Sequence, residues 1–210
     1  MKALLPLLLA LCASCQSVAS VTSLPPELAE QIGYDASNLD ALRRPSDELE
    51  VTPQIVDDVR GGQIAFALSG TPAEVSEMLL DFEGANEARL TWCDRYEALD
   101  RDENNARAVW HFKRYKLIKP VVTLNYAIEP GEGDSIALRF RAEKPVMGVA
   151  ALFGDYRLHP LPTEDPETLA VVRVFADTGL PIQFDPEDLA QGMRDDAAAL
   201  RIWIEQRIAR

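Results

Sequence analysis

Histidine is nearly absent from this chain: 210 residues contain two, together with three cysteines. His111 and His159 stand alone, with no second ligand at metal-binding spacing, which excludes a zinc-type cluster and leaves no cofactor to expect. Basic residues are also scarce, 21 Lys and Arg against 34 Asp and Glu. A formal net charge of −13 argues against a nucleic-acid partner, which needs clustered cations to neutralise phosphates. No glycine-rich loop follows a strand, so there is no phosphate cradle. No internal repeat is present, which excludes a solenoid.

The cysteines exclude an intramolecular disulfide as well. Residues 1–19 read as a targeting segment: Lys2 is a minimal positive start, "ALLPLLLALCA" is an apolar run short of a bilayer span, and small residues follow. Two processing routes are open. "SVA" at 17–19 suits ordinary signal cleavage, whereas "CASC" resembles a bacterial lipobox, with Cys12 where Leu is usual and Cys15 as the residue to be lipidated. Either route leaves Cys93 without a partner. The expectation is an exported protein, periplasmic or anchored through Cys15 as an envelope lipoprotein, and monomeric. Cys93 reads as a buried strand residue, because neither histidine is marked as its catalytic partner.

What is plentiful is apolar side chain, 47% of the sequence, enough for one substantial core. Residues 20–58 read as a tether with a short helical stretch at "LPPELAEQIG", and "RRPSDELEVTPQ" as polar punctuation; the domain proper is expected over 59–210. The basic run "KRYKLIK", Lys113 to Lys119, reads as a solvated strand face, with a docking patch for anionic lipid as the minor alternative.

Within the domain, Ile64, Phe66 and Leu68 alternate as a first strand. "TPAEVSEMLLDF" then carries helix signals: Thr71 as N-cap, Pro72 in the first turn, Glu74 three residues on, and Val75, Met78, Leu79 and Phe82 as an apolar stripe. Trp92, Asp94, Tyr96 and Ala98 share one face of the next strand, and Ala108, Trp110, Phe112 and Arg114 one face of the strand after it. A hairpin centred on Glu103 sets Trp92 opposite Arg114, Asp94 opposite Phe112 and Tyr96 opposite Trp110. One centred on Glu132 sets Leu124 opposite Phe140, Tyr126 opposite Leu138 and Ile128 opposite Ile136. The chain closes on a long helix capped by Asp185, with Leu189, Met193, Ala197, Leu200, Ile204 and Ile208 at helical spacing. Arg194 and Arg201 are expected to face water or the rim. At 1.5 Å per residue this helix is roughly 36 Å long, enough to cross a sheet.

Strand, short helix, antiparallel strands and long C-terminal helix, in that order over residues 59–210, resembles the START-like helix-grip fold of the SRPBCC superfamily. "GTPAEVSEMLLDFEGANEA" is similar to its post-strand helix and "DPEDLAQGMRDDAAALRIWIEQRI" to its gripping helix. The resemblance implies an α+β architecture, a curved antiparallel sheet around the C-terminal helix, with a cavity between them for a lipid or another apolar molecule. The surfaces that would line it are Trp92, Tyr96, Trp110, Phe112, Tyr126, Leu138 and Phe140 from the sheet and Leu189, Met193 and Leu200 from the helix. The alternative is that these side chains pack a closed core. Asp94 and Arg114, diagonal on the inward face, form either a structural ion pair or a polar anchor for a ligand head group. Some relatives are cyclases or dehydratases, a role in which Asp94 or Tyr96 would supply acid or base. A ligand-free interaction module of the envelope is the third reading.

Overall fold

The computed structural model describes residues 39–88, 90–113, 118–179 and 185–209. Residues 1–38 with Cys15, Arg114 with the middle of the basic run, and residues 180 to 184 lie outside the described residues. Eight strands form one antiparallel sheet: β1 (Val51–Val56), β2 (Val59–Ser69), β3 (Cys93–Arg101), β4 (Asn105–Phe112), β5 (Val121–Pro130), β6 (Ile136–Ala142), β7 (Ala151–Leu161) and β8 (Glu167–Asp177). Their order across the sheet is β1-β2-β8-β7-β6-β5-β4-β3. The helices are α1 (Leu39–Leu42), α2 (Pro72–Leu80) and α3 (Pro186–Ile208).

This order explains the short helix. β2 lies beside one edge and β3 at the other, so the chain between them must cross the whole sheet, and α2 makes the crossing by packing over β6, β7 and β8. Its start is fixed locally. Glu74 N–H donates to Thr71 Oγ1 at 3.3 Å and Thr71 N–H donates to the Glu74 carboxylate at 2.8 Å, a reciprocal capping box with Pro72 in the first turn. Val75 is fully buried and Phe82, just past the helix end, nearly so, whereas Met78 and Leu79 are half-buried.

The sheet begins earlier than the sequence suggests. Val51–Val56, read there as part of a tether, pairs with β2 from Val51↔Ile64 to Val56↔Val59. The two-residue turn is Asp57 and Asp58, at φ of 49° and 64°, the left-handed pair that a tight hairpin requires. Acidic residues tolerate that conformation, but their composition alone reads as linker.

Two hairpin registers need correction. In β3–β4, Tyr96 does face Trp110, but Cys93 rather than Asp94 faces Phe112, because the ladder slips between Cys93 and Arg95. That β-bulge turns Asp94 outward, where its carboxylate pairs with Lys119 at 2.6 Å. Ala98 is likewise exposed. In β5–β6 the pairs are Leu124↔Ala142, Tyr126↔Phe140 and Ile128↔Leu138, two residues away from the expected register. A shift of two keeps every side chain on its face, so the inward set survives.

α3 runs for 23 residues, about 35 Å, with Asp185 accepting the Glu187 N–H at 3.0 Å and Pro186 in its first turn. Met193, Ala197, Leu200, Trp203 and Ile204 are buried in the core, whereas Ile208 is exposed. Arg194 and Arg201 do not reach for water. Arg194 Nε donates to the Leu49 carbonyl at 2.9 Å; Arg201 donates to the carbonyls of Ala67, Arg44 and Leu42 and lies over the Phe66 ring, 5.5 Å from its centroid. The two arginines thereby strap residues 42–49, with Leu42 and Leu49 buried beneath, against the helix.

Candidate functional site

The space between α3 and the sheet is divided. Toward the C-terminal end of the helix, Leu200 and Trp203 meet Tyr96, Tyr126, Leu138, Phe82 and Leu79 around a void of about 30 Å³, about one water's share of liquid volume. Toward the N-terminal end there is a cavity of about 280 Å³. Leu189 and Met193 form its helix side, and Trp92, Trp110, Phe112, Phe140, Leu152, Tyr156 and Val174 its sheet side.

Of the residues expected to face a ligand, Trp92, Trp110, Phe112, Phe140, Leu189 and Met193 line this cavity. Tyr96, Tyr126, Leu138 and Leu200 belong to the packed end. Asp94 is on neither wall, which is a correction imposed by the bulge, and Arg114 lies outside the described residues, so the expected anchor pair is not brought together here.

The aromatic wall is a connected set centred on Trp110. Tyr96 meets its ring edge-on at 5.1 Å and 87°, Phe112 lies at 5.9 Å, and Phe140 stacks on it at 6.2 Å and 27°. Phe140 in turn contacts Tyr156 at 6.0 Å. Such offset and edge-on contacts hold ring orientations and give the wall a fixed shape.

A glycine sets how α3 approaches that wall. A Cβ at Gly192 would fall 2.2 Å from Trp92 Cζ2, so only glycine lets the indole seat against the helix. Glycine inside a helix costs about 1 kcal/mol against alanine, so its presence in the middle of α3 marks a packing requirement.

The polar group within the cavity was not singled out from the sequence. Asp196 follows Met193 by three positions on α3, which places both on the sheet-facing side, and its carboxylate accepts the Thr91 N–H. Burial pushes this carboxyl up to about 6, with the hydrogen bonds from Thr91 and the more distant Lys113 pulling the other way. Only the seating of the helix separates half-buried Asp196, which lines the cavity, from exposed Asp195. Lys113, Thr91 and Asp177 complete the polar part of the lining.

Other titratable groups are poor reagents. Burial pushes the Cys93 thiol up to about 12 and holds the Tyr96, Tyr126 and Tyr156 phenols well above their ordinary range, so all four stay protonated at neutral pH. Among the described residues no group of three or more His, Cys, Asp or Glu is arranged to hold a metal.

Other depressions exist among the described residues. One of about 400 Å³ opens between the β1 edge and the start of α3, beside Gln54, Asp58 and Arg60, and shares Ala176, Asp177 and Leu189 with the cavity. One of about 720 Å³ is a shallow groove on the outer face, walled by arginines such as Arg139, Arg157 and Arg173. The cavity under α3 is smaller than these two, but among the three it is the one where aromatic walls converge on a half-buried carboxylate.

No protein-family model matches the sequence, and no curated protein is detectably similar to it in sequence. Its shape does have relatives. A STAR-related lipid transfer protein from Xanthomonas axonopodis superposes with a TM-score of 0.59 at 17% identity, over 75% of this chain and 94% of that one. The Zhui aromatase/cyclase from Streptomyces sp. R1128 gives 0.54 at 15% identity, over 71% and 96%. Human StAR-related lipid transfer protein 5 gives 0.54 at 12% identity, over 87% and 97%. At such identities the likeness establishes architecture: the chain has the START-like helix-grip fold, an antiparallel sheet curved around its C-terminal helix.

Proposed function

We propose that this protein is an exported, monomeric carrier of one small apolar molecule, held between the sheet and α3. The observation that carries the reading is the 280 Å³ cavity with its fixed aromatic wall and the half-buried carboxylate of Asp196, the usual division of labour in a ligand site. Its volume lies just below the roughly 300–1,000 Å³ of ordinary small-molecule sites, which suits a single chain or a compact ring system better than a two-chain phospholipid. Two structural neighbours are lipid transfer proteins, which is consistent with this class of ligand.

Native mass spectrometry of the purified protein, followed by organic extraction, tests the reading. The expected result is one protomer with one extractable apolar molecule of constant mass. A ligand-free protein that also takes up no added apolar probe overturns it. A cavity enzyme is the second reading, favoured by the aromatase/cyclase neighbour and by Asp196, whose carboxyl near 6 suits a general base. A carrier returns its extracted molecule unchanged on reincubation, and an enzyme does not. Export rests on residues 1–19, and anchoring on Cys15. If Cys15 is acylated, Cys15→Ser moves the protein from the membrane to the soluble fraction, since each lost CH₂ removes about 0.8 kcal/mol of membrane affinity. Unchanged fractionation with a mature terminus at Ser20 assigns ordinary cleavage instead.

A further inference from the structure

The cavity holds a carboxylate where an apolar ligand must end, and this restricts what the ligand can be. Asp196 makes no ion pair among the described residues, and its protein donor is Thr91. A carboxylate withdrawn from water is costly unless donors meet it. Among the described residues that donor is Thr91, and on the cavity side a ligand can supply another. The second carboxylate in the lining, Asp177, accepts the Gly179 N–H at 2.8 Å, and the lining cation, Lys113, is exposed. Among the described lining residues, two acids stand against one solvated base.

We infer that the ligand of this cavity is an uncharged apolar molecule whose polar end is a hydrogen-bond donor, such as an alcohol, directed at Asp196, and that carboxylate-bearing lipids of the fatty-acid type are rejected. The inference rests on the proposed ligand-binding reading and specifies its chemistry. Position supports it. Asp196 lies one turn beyond Met193, so a chain lying along Met193, Leu189 and the Phe140–Trp110 wall brings its polar end to the carboxylate. A donor there completes the coordination of Asp196, an ester leaves it unmet, and a second carboxylate sets like charges together at low dielectric.

Titration calorimetry of the purified protein at pH 7.5 with octan-1-ol, methyl octanoate and octanoate separates the three cases, since the probes share an eight-carbon backbone and differ at one end. Octan-1-ol is expected to bind most tightly, methyl octanoate several-fold more weakly, and octanoate at least about tenfold more weakly than the alcohol. Asp196→Asn is expected to bring octanoate to within about threefold of the alcohol. Equal binding of alcohol and ester by the wild type overturns the donor requirement, and equal binding of alcohol and octanoate overturns the charge rejection. Discrimination that survives in Asp196→Asn assigns the effect to the overall acidity of the protein and overturns the role of Asp196. If none of the probes binds, the ligand-binding reading itself falls, which is distinct from binding without discrimination. The wild-type ranking tests the donor requirement and the charge rejection even if the variant fails to fold.

Discussion

The two halves of α3 have similar apolar spacing and different surroundings. From Ala197 to Ile204 the helix is driven into the sheet, with Trp203 3% exposed and Ile204 fully buried, and only a water-sized void remains. From Leu189 to Asp196 the same helix stands over a cavity almost ten times as large. An apolar stripe thus specifies which side faces the sheet, but not whether that side meets atoms or space. The difference comes from what stands opposite: large side chains from α2 and the strands at one end, and at the other an indole seated against a glycine.

The largest expected effect breaks the packed half. Trp203→Ala should cost about 3–5 kcal/mol in urea denaturation, because the site is ringed by aromatic and aliphatic neighbours that cannot collapse to fill it. Octan-1-ol affinity of the folded fraction should change far less, and a parallel loss of both would show that the two halves are one unit. Gly192→Ala attacks the junction. Its new methyl must displace Trp92, and overpacking of about 1–3 kcal/mol outweighs the roughly 1 kcal/mol gained in helix propensity, so the melting temperature should fall and ligand capacity with it.

Asp196→Asn acts on the open half with the opposite sign. The carboxyl binds its proton more tightly in the fold, near 6, than at its ordinary 3.8, so the contribution of Asp196 to stability is greatest below about pH 4 and is lost as pH rises to about 6. The separation sets a ceiling of roughly 3 kcal/mol, and water in the cavity brings the expected gain for Asn at pH 7 nearer 1–2 kcal/mol. The groups that face Asp196 are Asp195 beside it and Lys113, Cys93, Tyr96 and Tyr156 across from it; the thiol and phenols stay protonated throughout this window. Melting curves of both proteins from pH 4 to 8 should converge at the acid end, and parallel curves would place the carboxylate in bulk water. Met193→Trp should have the smallest effect on stability, under about 1 kcal/mol, while abolishing octan-1-ol binding, since the indole enters existing space. A loss of 1–3 kcal/mol with binding retained would mean that Met193 belongs to the packed half.

The fold was legible where signals are local or parity-protected. The capping box of α2 and the Asp185 cap of α3 lie within four residues of sequence, and the inward set of β5 and β6 tolerated a register shift of two because alternation has period two. Asp94 was misplaced because a bulge changes parity without changing composition. Arg194 and Arg201 were misplaced because their partners are carbonyls of residues 42–49 and Ala67, and a backbone acceptor leaves no mark in side-chain chemistry. The site was legible as a set of apolar walls. Its division into core and cavity was not, and nor was Asp196, since both depend on how closely one helix seats.

The irregularities of β3 have a further consequence. An open antiparallel sheet ends in two strands with unused hydrogen-bonding groups, and a flat edge invites a second chain to add to it. β3 forms one edge here, and its ladder is broken twice, between Cys93 and Arg95 and again between Ala98 and Asp100, with alternating charges along its exposed length. At the other edge β1 carries Pro53, which has no N–H to offer. The bulge that spoils a register prediction therefore also acts as a guard: it bends away the surface on which strand-by-strand aggregation would begin.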